Sequence, residues 1–555
     1  MHAEREWLGA ACRGVGRALS AVGTRGRRFV AAGVLAAALV YVAALGIRSV
    51  LYEGAFSPDS LVYVDTARNL AAGRGISNSV VSLDAAVYEG APIPRPMINW
   101  GPLYPAAIAG TSLLGVPVTA AALLVPVVFL GVALAGAYLL GRQMLDEVAG
   151  LVAVAILLHF APLRHVGVHA WSETLGLAFV LLALYLAAAR AGTGARRRMR
   201  ALGAGLAAGL AYAARPALAP LLPMCLLLVV ERRRLRPTVE RLALCLAGYA
   251  AVTGPVVLRT LLLTGHLQGH RSPRPMVPFR QAASDLARVL ADVAVPASWT
   301  ARAACLAGVL SVLIACAALV RRRRLVPAVR DALAGGRRFA LTLWPAGYLA
   351  FLVYCEMHYP IDPIDARLTV VATAVLAILA AVAAVRLLNA SAPLTGLLCA
   401  LSLVIAGGAA AGEALAARTA LNPRLPRPYD YGRKLAHSET LAWLADHASG
   451  RDLIVCENGL DLTIYLGVVD TLFFSCAEPW KPPVAFDDFM VYLGNHAGGY
   501  ERVFVVFRES PAGRAERYAP PGSFAAAFLG DEAAAHPAIA VAARLDDGVV
   551  FEVTP

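Results

Sequence analysis

Long stretches of this chain carry no charge. Phe29 to Ile47, Val116 to Leu140 and Asn389 to Gly412 contain no Asp, Glu, Lys or Arg. Roughly 17–25 continuous apolar residues are what a helix needs to cross a bilayer, whereas barrel strands alternate polar and apolar positions. The pattern predicts spans at about 29–49, 118–141, 147–162, 171–190, 201–214, 216–231, 240–264, 302–320, 338–356, 367–388 and 391–413, eleven in all. Two stretches are too short for a simple crossing. Residues 201–230 hold Arg215-Pro216 between two apolar arms, each about 21 Å long as a helix against a hydrocarbon core of about 30 Å. Proline breaks a helix, and an arginine at that depth needs an anionic partner or water, so two short helices meeting at Arg215-Pro216 are expected. Leu103 to Leu114 reads as a helix lying at the outer membrane surface.

After residue 413 the pattern changes. Leu421-Asn422-Pro423-Arg424-Leu425-Pro426-Arg427-Pro428 is a proline-rich, semi-rigid linker. A helix at about 434–448 follows, then β-rich runs at 452–456, 471–475, 502–507 and 549–553, the last behind an Asp546-Asp547-Gly548 turn. Strands alternating with helices predict a small α/β domain. The expected organisation is a basic N-terminus (1–28), an all-α membrane domain (29–413) with a first outer loop at 50–117, a linker (414–432) and an α/β domain (433–555).

Composition agrees: 59% of residues are hydrophobic and the mean hydropathy is +0.63, beyond ordinary soluble proteins. The net charge of +13 does not point to nucleic acid, because the arginines cluster beside the spans at Arg196–Arg200, Arg232–Arg236 and Arg321–Arg324. That is the positive-inside pattern. Arg5, Arg13, Arg17, Arg25, Arg27 and Arg28 precede the first span and place the N-terminus in the cytoplasm, as a retained signal anchor. The three internal arginine runs then follow spans four, six and eight, the cytoplasmic side by parity. The expected location is a bacterial cytoplasmic membrane, with residues 50–117, 163–170, 265–301, 357–366 and the C-terminal domain outside.

The nine cysteines form no CxxC and no Cys/His cluster, so no zinc or redox site is indicated. Cys456 and Cys476 share the C-terminal domain, where an oxidising compartment would let them pair.

Candidate chemistry collects at the outer membrane ends. Ser57-Pro58-Asp59 starts a helix, with Ser57 as cap, and sets Asp59, Tyr63 and Ala67 at i, i+4 spacing, with Asp65 on another face. Asp59 either complements the helix dipole or serves as a general base. Trp100-Gly101-Pro102-Leu103-Tyr104-Pro105 closes the loop as an interfacial aromatic segment. His165, His169 and Glu173 follow the third span, with His169 and Glu173 spaced for one helix face. Three ligands at an unfamiliar spacing do not make a metal signature, and a structural or acceptor contact is the better reading. Asp365-Ala366-Arg367 enters the tenth span, with Arg367 placed to fork a phosphate or to snorkel. Arg95 and Arg164 are further cationic candidates. A nucleotide-binding glycine loop is absent.

In order along the chain, Asp59 with Tyr63, Ala67, Gly73 and Gly75, then Pro102-Leu103-Tyr104-Pro105, Ser172-Glu173, the GLAAGLAYAARP run ending at Arg215-Pro216, and Asp365-x-Arg367 resemble the motifs of polytopic GT-C-type glycosyltransferases. That group includes protein O-mannosyltransferases and aminoarabinose transferases of bacterial envelopes. The resemblance implies a polyprenyl-phosphate-sugar donor, inversion at the anomeric carbon and a first-loop aspartate as base, here Asp59. Ser60 stands where many members carry a second acid, so a metal held by such a pair is not implied. Arg215 and Arg367 are then the expected phosphate ligands, and Tyr63, Asp65, Tyr104, His169, Glu173 and Asp365 the expected substrate contacts, with a glycan, lipid or protein as acceptor. No cofactor is expected, and a divalent metal has no ligand cluster behind it. A lipid-linked glycan transporter is the alternative; it would show inverted repeats and midplane charges, and neither is evident. A structural or signalling membrane subunit with a ligand-binding outer domain is a third reading, in which Asp59 would be dispensable.

Overall fold

The computed structural model describes residues 24–53, 56–189, 193–230, 235–267, 275–294, 336–359, 363–388, 392–420, 438–457, 470–474, 484–508, 524–529 and 535–554. The span expected at 302–320, the arginine run 321–324, most of the linker and Cys476 lie outside them. The chain divides into two compact units. One comprises Met1–Tyr52, Ile98–Leu103 and Leu123–Pro426, the other Glu53–Met97, Tyr104–Ala122 and Arg427–Pro555. First-loop residues expected with the membrane domain are thus grouped with the C-terminal residues, for a reason the sheet supplies.

The first unit is helical. Among the described residues six helices are long and apolar enough to cross a membrane: Phe29–Leu51, Val118–Met144, Leu235–Thr264, Ala340–His358, Ala366–Arg386 and Leu401–Arg418. Glu147–Leu158 and Ala161–Val168, bent by 64°, make a seventh if taken as one broken span. Glu173–Ala188 and the Pro216–Val229 segment are apolar but shorter. The break at Arg215-Pro216 is real: Gly194–Ala214 ends at Arg215, whose backbone is extended (φ −153°, ψ 107°), and a single 3-10 turn, Pro216–Leu218, leads to the helix Leu221–Val229.

Small residues let the helix axes approach. A Cβ added to Gly205 would lie 1.9 Å from the Cys245 carbonyl oxygen, and one on Gly248 would lie 2.4 Å from that of Leu202, so Gly194–Ala214 packs directly on Leu235–Thr264. The apolar core of this unit includes Trp344 and Tyr348 of the helix Gly336–His358.

The second unit holds two sheets. In chain order the strands are β1 (Ser77–Asn78), β2 (Val80–Ser82), β3 (Arg95–Pro96), β4 (Leu453–Glu457), β5 (Asp470–Phe474), β6 (Val503–Arg508), β7 (Ile539–Leu545) and β8 (Gly548–Val553). β1 and β3 pair antiparallel. The other six form one sheet in the order β2-β5-β4-β6-β8-β7. β2, β5, β4 and β6 run parallel, while β8 is antiparallel to β6 and closes a bulged hairpin with β7. β4, β5, β6 and β8 fall at the four runs expected for strands.

Alternation sorts the side chains to two faces. Leu453, Val455, Val503 and Val505 pack with Phe489 and Phe528 on one side, and Ile454, Cys456, Phe504 and Val506 pack with Leu441 and Leu444 on the other. β2 explains the grouping of the first loop: Val80, Val81 and Ser82 pair with Thr471, Leu472 and Phe473 as the edge strand of a sheet otherwise built from the last 120 or so residues.

Candidate active site

In the first unit, helix ends bring four of the expected residues together. Glu173 opens the helix Glu173–Ala188 and is 2% exposed. Arg215, at the proline break, donates from Nη1 to its carboxylate. Arg367, in the first turn of Ala366–Leu388, brings Nε to 3.7 Å from the same Glu173 oxygen and 3.8 Å from Asp365 Oδ2. Asp365 also caps that helix, its Oδ1 accepting from the Leu368 amide at 2.8 Å. The arginine side chains are 14% and 12% exposed, so two cations share one buried carboxylate, with half-exposed Asp365 at the edge. The partner that Arg215 requires at its depth is Glu173.

His169 and Glu173 do not share a helix face, contrary to the i, i+4 reading. Ala161–Val168 ends at His169 with extended backbone, and Trp171 N–H donates back to the His169 carbonyl at 2.7 Å, turning the chain before Glu173. The turn stacks His169 on Trp171 (centroids 4.1 Å apart, 22° between planes), with His165 4.2 Å from His169. Arg367 lies over the Trp171 ring at 5.0 Å, within cation–π range. His169 reaches Arg367 through this indole. Burial pushes its pKa down to about 4, against the pull of the His165 carbonyl, with His165 and Arg367 pushing the same way, so the ring is neutral at pH 7.

Trp100-Gly101-Pro102 has a packing role that the sequence did not convey. A Cβ on Gly101 would lie 2.3 Å from the Ala213 carbonyl oxygen and 2.5 Å from that of Ala214, so only glycine allows this segment against the end of the Arg215 helix. Tyr348, fully buried, lies against Arg215 and donates to the Leu368 carbonyl at 3.2 Å. Arg164 is not part of this cluster. It pairs with Glu413 at 2.7 Å, and Glu413 also takes Arg48.

The second unit carries the remaining candidates on and around the helix Pro58–Ala71. Ser57 accepts from the Ser60 amide and Ser60 returns a bond to the Ser57 amide, a capping box with Pro58 in the first turn. Asp59, in that turn, is half-buried. Ser60 is thus committed to the cap.

Tyr63 packs edge-on to Tyr104 (4.9 Å), and the Tyr104 hydroxyl donates to the Ala122 carbonyl at 2.6 Å. These rings, expected as substrate contacts, are 6% and 0% exposed and belong to the buried core of this unit. Asp65, also expected as a substrate contact, is enclosed as well. It is 1% exposed, and its Oδ2 accepts the Ser79 amide at 2.6 Å while Oδ1 has no hydrogen-bond partner among the described residues. Burial raises its pKa to about 6, against the Ser79 and Val80 amides and the charges of Arg68 and Arg74. Asn69 binds Ser77 O and Ser79 Oγ, and the Ser79 carbonyl accepts from Thr471. The helix of Asp59 is thereby stitched to β2 and through it to β5. Arg95 lies in β3, paired with Asn78. No group of three or more His, Cys, Asp or Glu side chains suited to a metal occurs among the described residues.

Residues 96–257 match the family profile for dolichyl-phosphate-mannose-protein mannosyltransferase, a stretch that includes Trp171, Glu173 and Arg215. No curated protein matches the sequence. Among solved structures the chain is similar to ArnT from Cupriavidus metallidurans bound to undecaprenyl phosphate, with a TM-score of 0.55 and 13% identity over 94% of this chain and 98% of that one. It is equally similar to the same protein in the apo state (TM-score 0.55, 14% identity, 95% and 98% covered). The apo oligosaccharyltransferase from Archaeoglobus fulgidus gives 0.48 at 13% identity, covering 87% and 70%. At these identities the likeness to ArnT establishes the fold: the chain has the GT-C-type membrane glycosyltransferase fold that its motifs resemble.

Proposed function

We propose that this chain is an integral membrane glycosyltransferase that moves a sugar from a polyprenyl-phosphate donor to an envelope acceptor on the outer face of a bacterial cytoplasmic membrane. The observation that carries the reading is the convergence of Arg215 and Arg367 on Glu173 at the ends of membrane helices. A second support is the likeness in fold to an ArnT whose crystal structure contains undecaprenyl phosphate. The topology belongs to the proposal: eleven spans, the N-terminus in the cytoplasm, and the C-terminal α/β residues outside with the first loop.

The chemistry follows from charge. The acceptor hydroxyl attacks the anomeric carbon as its proton passes to the Asp59 carboxylate. The carbon–oxygen bond to the lipid phosphate breaks, its electron pair stays on the phosphate oxygen, and the single displacement inverts the anomeric centre. The leaving phosphate gains negative charge as it departs, which Arg215 and Arg367, already held in place, are suited to stabilise. Glu173 orients both guanidinium groups while the site is free of phosphate. His169 and Asp365 stand beside the arginines as further contacts for the donor.

Lipid analysis of a strain lacking the gene tests the reading: a polyprenyl-phosphate-sugar should accumulate and disappear on complementation. An unchanged lipid pool, with no transfer by the purified protein from that strain's own lipid extract, would refute it.

A further inference from the structure

The short helix Leu103–Ser112 ends in a turn that presents two leucines outward, Leu113 at 74% and Leu114 at 84% exposed. The turn is wound tightly, with the Leu113, Leu114 and Gly115 amides donating to Ala109, Thr111 and Ser112 carbonyls at 3.0, 3.2 and 2.9 Å. Gly115 closes it at φ +88°, where a side chain would be strained. The hydroxyls of the last turn fold inward too. Thr111 Oγ1 donates to Ala107 O and Ser112 Oγ to Ala109 O, both at 2.8 Å. A tip whose 113–115 amides and two hydroxyls bond internally, with only apolar side chains at its apex, is better suited to hydrocarbon than to water.

We infer that Leu113 and Leu114 insert into the acyl region of the leaflet that Val118 enters, anchoring the first loop to the membrane. Continuity identifies the occupant. Three residues separate Leu114 from Val118–Met144, a membrane-length helix, and no charged residue occurs from Pro96 to Gly141. The Tyr104 hydroxyl ties the short helix to Ala122 in the first turns of that span. The anchor is also joined to the proposed chemistry, because Tyr104 packs on Tyr63, one turn from Asp59 on the same helix. Depth of insertion would thus help set the height of Asp59 at the membrane surface. That last step rests on the proposed function; the insertion does not.

The test uses the full chain in phospholipid nanodiscs with a photo-crosslinking amino acid at position 113 or 114, and at the exposed Tyr88 of the same unit for comparison. Phospholipid adducts are expected at 113 and 114 and not at 88. Water quenching, or a protein adduct at 113 and 114, would overturn the insertion. In the activity arm, Leu113→Asp with Leu114→Asp should raise KM for a membrane-borne donor and leave turnover of a short-chain, water-soluble donor analogue unchanged. Equal KM for both donors would remove the link to Asp59. Lipid adducts with no transferase activity in the wild type would instead sink the proposed function and leave the anchor standing.

Discussion

Glu173 and Arg215 stand 42 residues apart in sequence and meet as a buried ion pair at the point where proline breaks a membrane helix. Arg367 approaches the same carboxylate oxygen. Arg367 also lies 3.8 Å from Asp365, so two guanidinium groups and two carboxylates converge at these helix ends. The pair is also costly to disturb, because removing one member leaves the others charged and buried.

Glu173→Gln should therefore lower stability by about 3–5 kcal/mol, the scale for breaking a buried pair. Thermal unfolding of the detergent-solubilised protein measures this. Arg215→Lys and Arg367→Lys keep the charge but lose the planar fork, so turnover should fall, and alanine at either position should nearly abolish it. An alanine variant at both positions that transfers sugar from purified lipid-phosphate donor near the wild-type rate would refute phosphate binding.

Much of this cluster was legible in the sequence, for a physical reason. An arginine beside proline inside an apolar run needs an anionic partner or water, so Arg215 announced a site without naming its partner. Glu173 was a candidate, but helical spacing attached it to His169. The turn at Ala170–Ser172 and the stacking role of Trp171 are tertiary facts that no local periodicity encodes. The surroundings of Asp65 were hidden for a related reason. Its partner Ser79 leads into Val80–Ser82, which pairs with Thr471–Phe473 almost four hundred residues away, and parallel pairing over that distance leaves no sequence spacing to read. At three residues, β2 is also shorter than the apolar runs that marked β4 and β6.

Topology gives an independent check. Reporter fusions after residues 200 and 236 should report the cytoplasm, and fusions near 280, 362 and 450 the outside. The arginine runs at 196–200 and 232–236, with Arg215 between them, motivate this arrangement. A cytoplasmic signal from the fusion near 450 would put the C-terminal residues on the wrong side for the proposed acceptor.

The pH dependence of stability reports on Asp65. Its carboxyl is raised by burial to about 6 from an ordinary 3.8, so the folded state binds this proton more tightly than the unfolded chain. The stabilisation is fully present below the unfolded pKa and is lost as pH rises through about 6. The shift corresponds to roughly 3 kcal/mol. Asp65→Asn keeps an oxygen for the Ser79 amide and carries no charge to desolvate. Its stability relative to wild type should rise between pH 5 and pH 8. Hydrogen exchange at the Ser77–Ser79 amides measures this locally, and a difference that stays flat with pH would remove the assignment.

The assignment of Asp59 as base turns on the contrast with Asp65 on the same helix. Asp59 sits half-buried in the first turn, behind a capping box built by Ser57 and Ser60, while Asp65 is buried and bound to the backbone of Ser79. Asp59→Asn is nearly isosteric and leaves the capping box intact, so the protein should insert and remain monodisperse. Loss of the proton acceptor should still cost roughly 10²–10⁴ in turnover, the usual scale for general-base removal. Asp65→Asn should retain transfer at pH 7. Single-turnover assays with saturating donor separate the two, since they read the chemical step and not donor affinity. If Asp65→Asn abolishes transfer while Asp59→Asn does not, the base is Asp65, and a carboxylate with a pKa of about 6 and one oxygen without a hydrogen bond among the described residues would be suited to the part. If both variants transfer at the wild-type rate, no carboxylate on this helix takes the proton, and a lipid-linked glycan transporter becomes the better account of the fold.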